Sequence, residues 1–500
     1  MTLTRHTIDP ADWGAFRELA HQMVDDMVDH ISTLSDQPAW RPQPDGHAQR
    51  FSASVPQHGE GEASAYRAFV EDVLPYANGN AHPRFYGWVQ GNGTPLGMMA
   101  DMLASGMNPH MAGFNQAPVL VEEQVIRWMV ELMGFPNESG GILVGGGSIA
   151  NMLGLAIARN EQAGCDMREY GLQAESRQFA IYASSETHGW ITKAAELLGM
   201  GRVACRTIPV GDDFRMNLEM LQSAIAQDRT AGLLPICVIG NAGTVNTGAT
   251  DDLTKLAQIC RDEQLWFHID GAFGALAAWS PELRGVVSGL DLADSVAFDL
   301  HKWAYLPFTV ACLLVRDNAV LERSFATKAH YLAAMERGVS AGGMRFANRG
   351  IELTREFRAL KVWLNLKAYG AQEFGNLILQ NVQQARWLGE RVDLHPELEL
   401  LAPVQLNIVC FRYCTGTAPS AEHWNAVNQE LLLRLQESGA AVPSSTVLGG
   451  RFAIRCCFVN HRTQPEDLES LINAVVEVGR TINVEFGVER AGIAAPDQET

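Results

Sequence analysis

The sequence lacks a long hydrophobic run, and no stretch approaches the roughly 18 apolar residues of a membrane-spanning helix. It also lacks an excess of positive charge, because the formal net charge at pH 7 is −19. This balance disfavours nucleic acid and anionic membrane surfaces as main partners. Residues 1–6 do not lead into an apolar segment, so we expect no signal peptide and a cytoplasmic location.

Cysteine is sparse and scattered. The nine cysteines are odd in number and form no Cys-x-x-Cys pair, and no cluster of histidines accompanies them. This pattern indicates reduced thiols and disfavours a structural metal site, so we expect no metal. In contrast, a hydrophobic content of 47% over 500 residues is ample for a large core in two or three domains.

Two common phosphate-binding signatures are also missing. No Gly-Lys-Ser/Thr follows the glycines at 145–147, and Gly-x-Gly-x-x-Gly is absent. What is present is a predicted strand at 142–144, a glycine turn ending at Ser148, and a predicted helix over about 149–160. Backbone N–H groups and the helix dipole make such a turn an anion site, although similar turns also serve as plain connections.

Alternating β and α patterns follow this turn. Apolar runs occupy 179–183, 234–239, 265–269, 295–298 and 310–315. Their spacing predicts a mostly parallel sheet with helices on both faces, which binds ligands at the carboxyl ends of its strands. Four of these runs are followed by candidate chemical residues: His188, Thr244, Asp270 and Lys302.

The two ends of the chain have other patterns. Apolar residues at three- and four-residue spacing predict a helix over 13–34, which is covered either by the monomer's own core or by a partner subunit. Beyond residue 349 the pattern predicts helices at 352–369, 421–437 and 465–484, and strands at 406–411 and 451–458. We therefore predict an N-terminal helical dimerisation segment (1–80), a large cofactor-binding domain (81–350) and a small C-terminal α/β domain (351–500).

Lys302 and Asp270 suggest the chemistry. A lysine just past one buried strand can hold pyridoxal 5′-phosphate (PLP) as a Schiff base, while a carboxylate at the end of the preceding strand pairs with the pyridine nitrogen. That carboxylate keeps the nitrogen protonated, which makes the ring an electron sink. The alternative interpretation is a surface lysine and a strand-end cap.

The motifs together resemble the group II PLP-dependent amino-acid decarboxylases, which include the aromatic-L-amino-acid decarboxylases. The resemblance runs from about His82 to Thr463 and is carried by the segments 82–85, 146–148, 187–188, 243–244, 267–272, 301–303, 355–361 and 460–463. It implies the aminotransferase-type PLP fold (type I). It also implies a homodimer with shared active sites and a small amino-acid substrate.

The resemblance also assigns roles to single residues. It implies that Lys302, His188 and Asp270 are catalytic, and that the cofactor contacts Gly147, Ser148, His188, Thr244, Asp270, Ala272, His301 and Lys302. Phe85, Tyr86 and Trp88 lie in the aromatic loop and are expected to line an apolar substrate pocket, although such loops can equally be buried corners. The implied reaction is α-decarboxylation of an aromatic or apolar L-amino acid.

Two residues depart from the family pattern. Asp299 replaces an asparagine, and a carboxylate near phosphate is repulsive unless it is neutralised or turned away. Counting back from Phe357, the family's proton-donating loop tyrosine falls on Phe346, which cannot donate a proton. In related plant enzymes this exchange accompanies oxidative formation of an aldehyde. Tyr331 could serve instead. The alternatives to amine formation are thus aldehyde formation and a catalytically silent scaffold.

Overall fold

The computed structural model describes residues 6–327, 335–415 and 420–493, apart from the side chains of 487–493. Its larger sheet contains strands β1 (Gly140–Val144), β2 (Phe179–Ser184), β3 (Cys205–Ile208), β4 (Leu234–Asn241), β5 (Trp266–Asp270), β6 (Ser295–Asp299) and β7 (Ala311–Val315). The spatial order is β1-β7-β6-β5-β4-β2-β3, with β7 antiparallel to both neighbours and the other pairs parallel. The predicted α/β fold with a mostly parallel sheet is therefore confirmed.

Helices cover both faces of this sheet, which explains why its strands are continuous apolar runs. The helices between residues 95 and 325 are α3 (Pro95–Met107), α4 (Ala117–Leu132), α5 (Gly147–Gln162), α6 (Met167–Tyr170), α7 (Trp190–Leu197), α8 (Leu218–Thr230), α9 (Leu253–Asp262), α10 (Leu300–Trp303) and α11 (Ala319–Phe325). Helix α2 (Glu62–Asp72) precedes them and has no buried residue. Helix α5 approaches β5 so closely that a Cβ at Gly154 would lie 2.6 Å from the His268 ring. A glycine is required there.

The C-terminal region forms a second, smaller sheet. Its strands are β8 (Leu398–Leu400), β9 (Ile408–Tyr413), β10 (Ser444–Leu448) and β11 (Arg451–Cys457), flanked by α12 (Ala359–Leu394), α13 (Ala421–Glu437) and α14 (Pro465–Ile493). The prediction that a helix starts near residue 352 is wrong, since α12 begins at Ala359 and runs on to Leu394. Gly370 kinks α12 by adopting φ 79° and ψ 152°.

The N-terminal helix α1 (Trp13–Ser32) lies apart from both cores. The Asp12 side chain caps it by accepting hydrogen bonds from the backbone N–H groups of Gly14 and Ala15. None of its residues is buried, and Trp13 and Val28 are 60% and 47% exposed. The monomer's own core thus leaves the apolar face of α1 uncovered.

Within the described ranges, no helix is both long enough and apolar enough to cross a membrane.

Candidate active site

A cavity of about 580 Å³ opens at the carboxyl ends of β4, β5 and β6, facing the start of α5. Seven of the eight residues predicted to contact a cofactor line it: Gly147, Ser148, His188, Asp270, Ala272, His301 and Lys302. These residues come from four separate segments, and the parallel strands bring them together because their carboxyl ends meet at one edge. The cavity is therefore the candidate active site.

The glycine turn forms one wall of the cavity. Strand β1 ends at Val144 and α5 begins at Gly147, so the amino end of a helix faces the cavity. A Cβ at position 147 would lie 2.5 Å from an oxygen of Asp299, so only glycine fits. The wall provides backbone N–H donors and the Ser148 hydroxyl, a combination that suits a phosphate group.

Asp270 lies at the end of β5 and is 6% exposed. Its Oδ2 atom accepts a hydrogen bond from the indole Nε1–H of Trp190 at 2.6 Å, and its Oδ1 atom accepts one from the backbone N–H of Ala272 at 3.1 Å. Both bonds stabilise the ionised carboxylate and fix its direction. This environment fits a carboxylate that pairs with a pyridinium nitrogen.

His188 lies between β2 and α7, with an exposed ring in the cavity wall. The backbone N–H of Trp190 donates a hydrogen bond to its Nδ1 atom at 3.2 Å. An Nδ1 atom that accepts a hydrogen bond carries no proton, so the neutral ring carries its proton on Nε2. Asn241 supports this loop, because its side-chain amide donates to the Thr187 hydroxyl at 3.0 Å.

Lys302 lies on the single turn of α10. Its Nζ atom is 2.7 Å from Oδ2 of Asp299, which is 1% exposed. The ion pair neutralises the Asp299 carboxylate next to the glycine turn while the lysine amine is free. His301 is also buried; its Nδ1 lies 2.9 Å from the Val310 carbonyl oxygen, and burial lowers its pKa.

Thr244 is the one predicted cofactor contact that does not line the cavity. Its side chain is 1% exposed, and its hydroxyl oxygen lies 3.1 Å from that of Thr247 and accepts the Ala249 backbone N–H at 3.1 Å. The hydroxyl shapes the turn after β4. The cavity is lined instead by the flanking residues Gly243 and Val245.

Two of the three aromatic residues predicted to contact substrate do not line this cavity. Phe85 is 3% exposed and packs with Ala39 and Val442, while Tyr86 is 1% exposed and lies in the core of the smaller sheet. Their contact with a substrate stays a prediction. Trp88 does line the cavity and is 53% exposed.

The wall beside Trp88 contains residues that the sequence did not single out. Val89 and Gln90 also line the cavity. Arg455, from β11, holds this wall by donating hydrogen bonds to the carbonyl oxygens of Trp88 at 2.8 Å and Val245 at 2.9 Å. No sequence motif connects Arg455 with Trp88. Arg455 lies in the smaller sheet, 367 positions further along the chain.

Phe346 was predicted at the position of the loop tyrosine and near the substrate. It is instead 0% exposed, and the Arg355 guanidinium lies 4.9 Å from the centre of its ring. Arg355 in turn forms a buried ion pair with Glu122. Phe346 therefore does not line the described cavity, and its place at the substrate stays a prediction. The alternative residue, Tyr331, lies outside the described residues.

Comparisons with known proteins agree with this geometry. The conserved domain of pyridoxal-dependent decarboxylases matches residues 44–414. An aromatic-L-amino-acid decarboxylase of Bacillus atrophaeus is 31% identical over 473 residues, covering 94% of this chain and 96% of that protein. A phenylacetaldehyde synthase of Arabidopsis thaliana is 28% identical and covers 90% and 92% of the two chains.

Solved structures show the same fold. The Oryza sativa protein TDC, crystallised with PLP and tryptamine, superposes with a TM-score of 0.87 at 26% identity. The superposition covers 96% of this chain and 100% of that one.

Proposed function

The chain belongs to the pyridoxal-dependent decarboxylase family, and on this premise we propose that it removes the α-carboxyl group of an aromatic L-amino acid, giving the amine and CO2. It is a PLP-dependent amino-acid decarboxylase, a carboxy-lyase. The observation that carries the proposal for its residues is the single cavity that unites Lys302, Asp270, His188 and the glycine turn.

The residues present fit the cofactor. Gly147 and Ser148 are placed to bind its phosphate, His301 to border it, and Lys302 to hold its aldehyde carbon. When bound, the cofactor supplies an electron sink for the electron pair left at Cα by the departing carboxylate. Asp270, fixed by its two hydrogen bonds, holds the proton at the ring nitrogen on which this sink depends.

His188 and Trp88 complete the assignment. The imidazole of His188 presents its Nε2–H to the cavity, where it can cover one face of the cofactor and orient the substrate. Trp88, next to Val89, offers an exposed aromatic surface to a substrate side chain. A flat apolar side chain gains most from this wall, which supports an aromatic substrate.

The proposal is tested by supplying the reconstituted protein with each of the twenty amino acids and scoring CO2, amine, aldehyde, ammonia and peroxide together. We expect CO2 and amine in equal amounts, with aromatic amino acids the best substrates. Release of CO2 only from acidic or small amino acids would contradict the aromatic assignment.

A second candidate product is an aldehyde, favoured by the similarity to a phenylacetaldehyde synthase. In that reaction the amino acid, O2 and water give aldehyde, CO2, ammonia and peroxide. Phe346 does not line the described cavity, so the relative carries more of the support for this alternative than Phe346 does. Equal amounts of aldehyde, CO2 and peroxide would establish it.

The burial of Phe346 gives a direct prediction. We expect Phe346→Tyr to leave the ratio of amine to aldehyde unchanged and to lower the free energy of unfolding by roughly 1–3 kcal/mol, since it buries a hydroxyl without a partner. Product analysis and denaturant titration measure the two effects. Tyr331→Phe, at the alternative position for the loop tyrosine, is the variant to compare with it. A switch of product in Phe346→Tyr would show that position 346 does reach the substrate.

We also propose a homodimer with shared active sites, in which α1 packs against the partner subunit. Its apolar side chains Trp13, Phe16 and Val28 are exposed on the monomer, and an uncovered apolar stripe of this kind favours association. The family resemblance supports active sites at the subunit interface.

The dimer can be tested by charging the apolar stripe. The double variant Trp13→Glu, Phe16→Glu is expected to shift the sedimenting mass from two chains to one, because burying an unpaired charge lowers the association constant by more than about tenfold. We expect activity to fall at least about tenfold with it. Leu394→Glu, at a residue 78% exposed on α12, is the control and should remain dimeric. A native protein that sediments as a monomer would contradict the proposal.

A further inference from the structure

Trp190 touches the candidate site in two places, although no motif assigns it a role. Its indole Nε1–H donates to Oδ2 of Asp270 at 2.6 Å, and its backbone N–H donates to Nδ1 of His188 at 3.2 Å. It is the first residue of α7 and is 3% exposed. One residue thus fixes the carboxylate at the ring nitrogen and the imidazole assigned to the ring face.

The hydrogen bond to Asp270 has an electronic consequence. A proton shared between a carboxylate and a pyridine nitrogen lies mainly on the more basic partner. A donor to the carboxylate oxygen stabilises the ionised form and makes the carboxylate less basic. The bond is short and lies between two buried groups, where such a bond is strong because water does not compete for it.

We infer that Trp190 is a positioning residue that holds the Asp270 carboxylate against the ring nitrogen of bound PLP and so keeps the proton on that nitrogen. The inference rests on the proposed placement of the cofactor, with its ring nitrogen at Asp270. It goes beyond that placement, because the Trp190 indole takes no part in the reaction itself but affects how well the cofactor ring accepts electrons.

A purely structural role would give the same contact, because buried indole N–H groups usually have a partner. Trp266 provides the matched control. It is 7% exposed, lies on β5, and donates its Nε1–H at 2.8 Å to the Ser295 hydroxyl. Trp266→Phe removes a buried indole hydrogen bond from the same sheet without touching a residue that lines the cavity.

The test is the ¹⁵N chemical shift of the ring nitrogen, measured on each protein loaded with ¹⁵N-labelled PLP. We expect the protonated value in the native protein and in Trp266→Phe. In Trp190→Phe we expect a shift towards the unprotonated value. Affinity for PLP and the kinetics of CO2 release are measured on the same samples.

The expected kinetic effect of Trp190→Phe is a fall in kcat of about tenfold to a hundredfold, the range of one hydrogen bond to a charged group, with KM changed less than about threefold. A ring-nitrogen shift equal to that of the native protein would overturn the inference, even if activity fell. A ring-nitrogen shift that changes equally in Trp266→Phe would also overturn the inference.

Failure of this inference is distinguishable from failure of the proposed function. The ¹⁵N shift reports the ring proton whether or not any amino acid is decarboxylated. A native protein that binds PLP with a protonated ring nitrogen but releases no CO2 would contradict the proposed function and leave the role of Trp190 to be decided by the variant.

Discussion

Replacing Lys302 with alanine is expected to abolish the visible absorbance of lysine-bound PLP and to lower the rate of CO2 release by at least about 10⁴-fold. Lys302 lies on α10, just past the end of β6, and its Nζ atom lies beside Asp299 in the cavity wall. An alanine leaves no amine to capture the cofactor aldehyde. Absorbance spectra after addition of PLP and a CO2 assay measure the two effects.

The control for this variant is Lys255→Ala. Lys255 is on α9, its side chain is 71% exposed, and it forms an ion pair with Asp252, outside the cavity. Its removal should leave the spectrum and the rate unchanged. Retention of the absorbance band in Lys302→Ala would show that another amine binds the cofactor.

Replacing Asp270 with asparagine is expected to lower kcat by about 10²–10³-fold, the cost of losing one preorganised electrostatic contact. Asparagine is nearly isosteric with aspartate but cannot balance the positive charge of a protonated ring nitrogen. The hydrogen bond from Ala272 can persist, so the geometry of the strand end should survive. Steady-state kinetics and the affinity for PLP distinguish the electronic effect from simple loss of cofactor.

Asp294→Asn is the matched control. Asp294 is a partly buried acid at the opposite end of the same sheet, where its Oδ2 atom accepts the backbone N–H of Phe267 at 2.8 Å, and desolvation raises its pKa. This variant should alter stability more than catalysis. An Asp270→Asn enzyme as active as Asp294→Asn would contradict the role given to Asp270.

The sequence predicted the central sheet because its runs are apolar and short, and four of the five runs between 179 and 315 are followed by candidate chemical residues. Asp270 and Lys302 could be placed because the carboxyl ends of parallel strands meet at one edge. The fold class and the cavity residues were thus predicted from local sequence patterns together with this rule about parallel strands. The start of α12 was misplaced by seven residues because an apolar periodicity begins before the helix does.

The errors fall where the direction of a side chain depends on distant parts of the chain. Phe85, Tyr86 and Trp88 form one aromatic loop, yet Val442 and the smaller sheet cover the first two and leave the third exposed. Nothing local distinguishes these three positions. Thr244 was misassigned because its own turn uses its hydroxyl, a local effect that the turn residues could have suggested.

Trp190 was missed for a different reason. It lies two residues after His188, at a predicted strand-to-helix turn. A tryptophan at such a turn is usually interpreted as an ordinary core residue. Only the structure shows that its indole reaches Asp270, eighty positions further along the chain. A polar atom on an otherwise apolar side chain beside a predicted site is the signal that could have identified it.

The assignment of this cavity to α-decarboxylation is tested most directly by the amount of CO2 that the purified protein releases from aromatic L-amino acids, measured with and without added PLP. We predict CO2 release that depends on PLP and on Lys302. Absence of CO2 from every amino acid, although the protein binds the cofactor, would contradict the assignment of this cavity to α-decarboxylation.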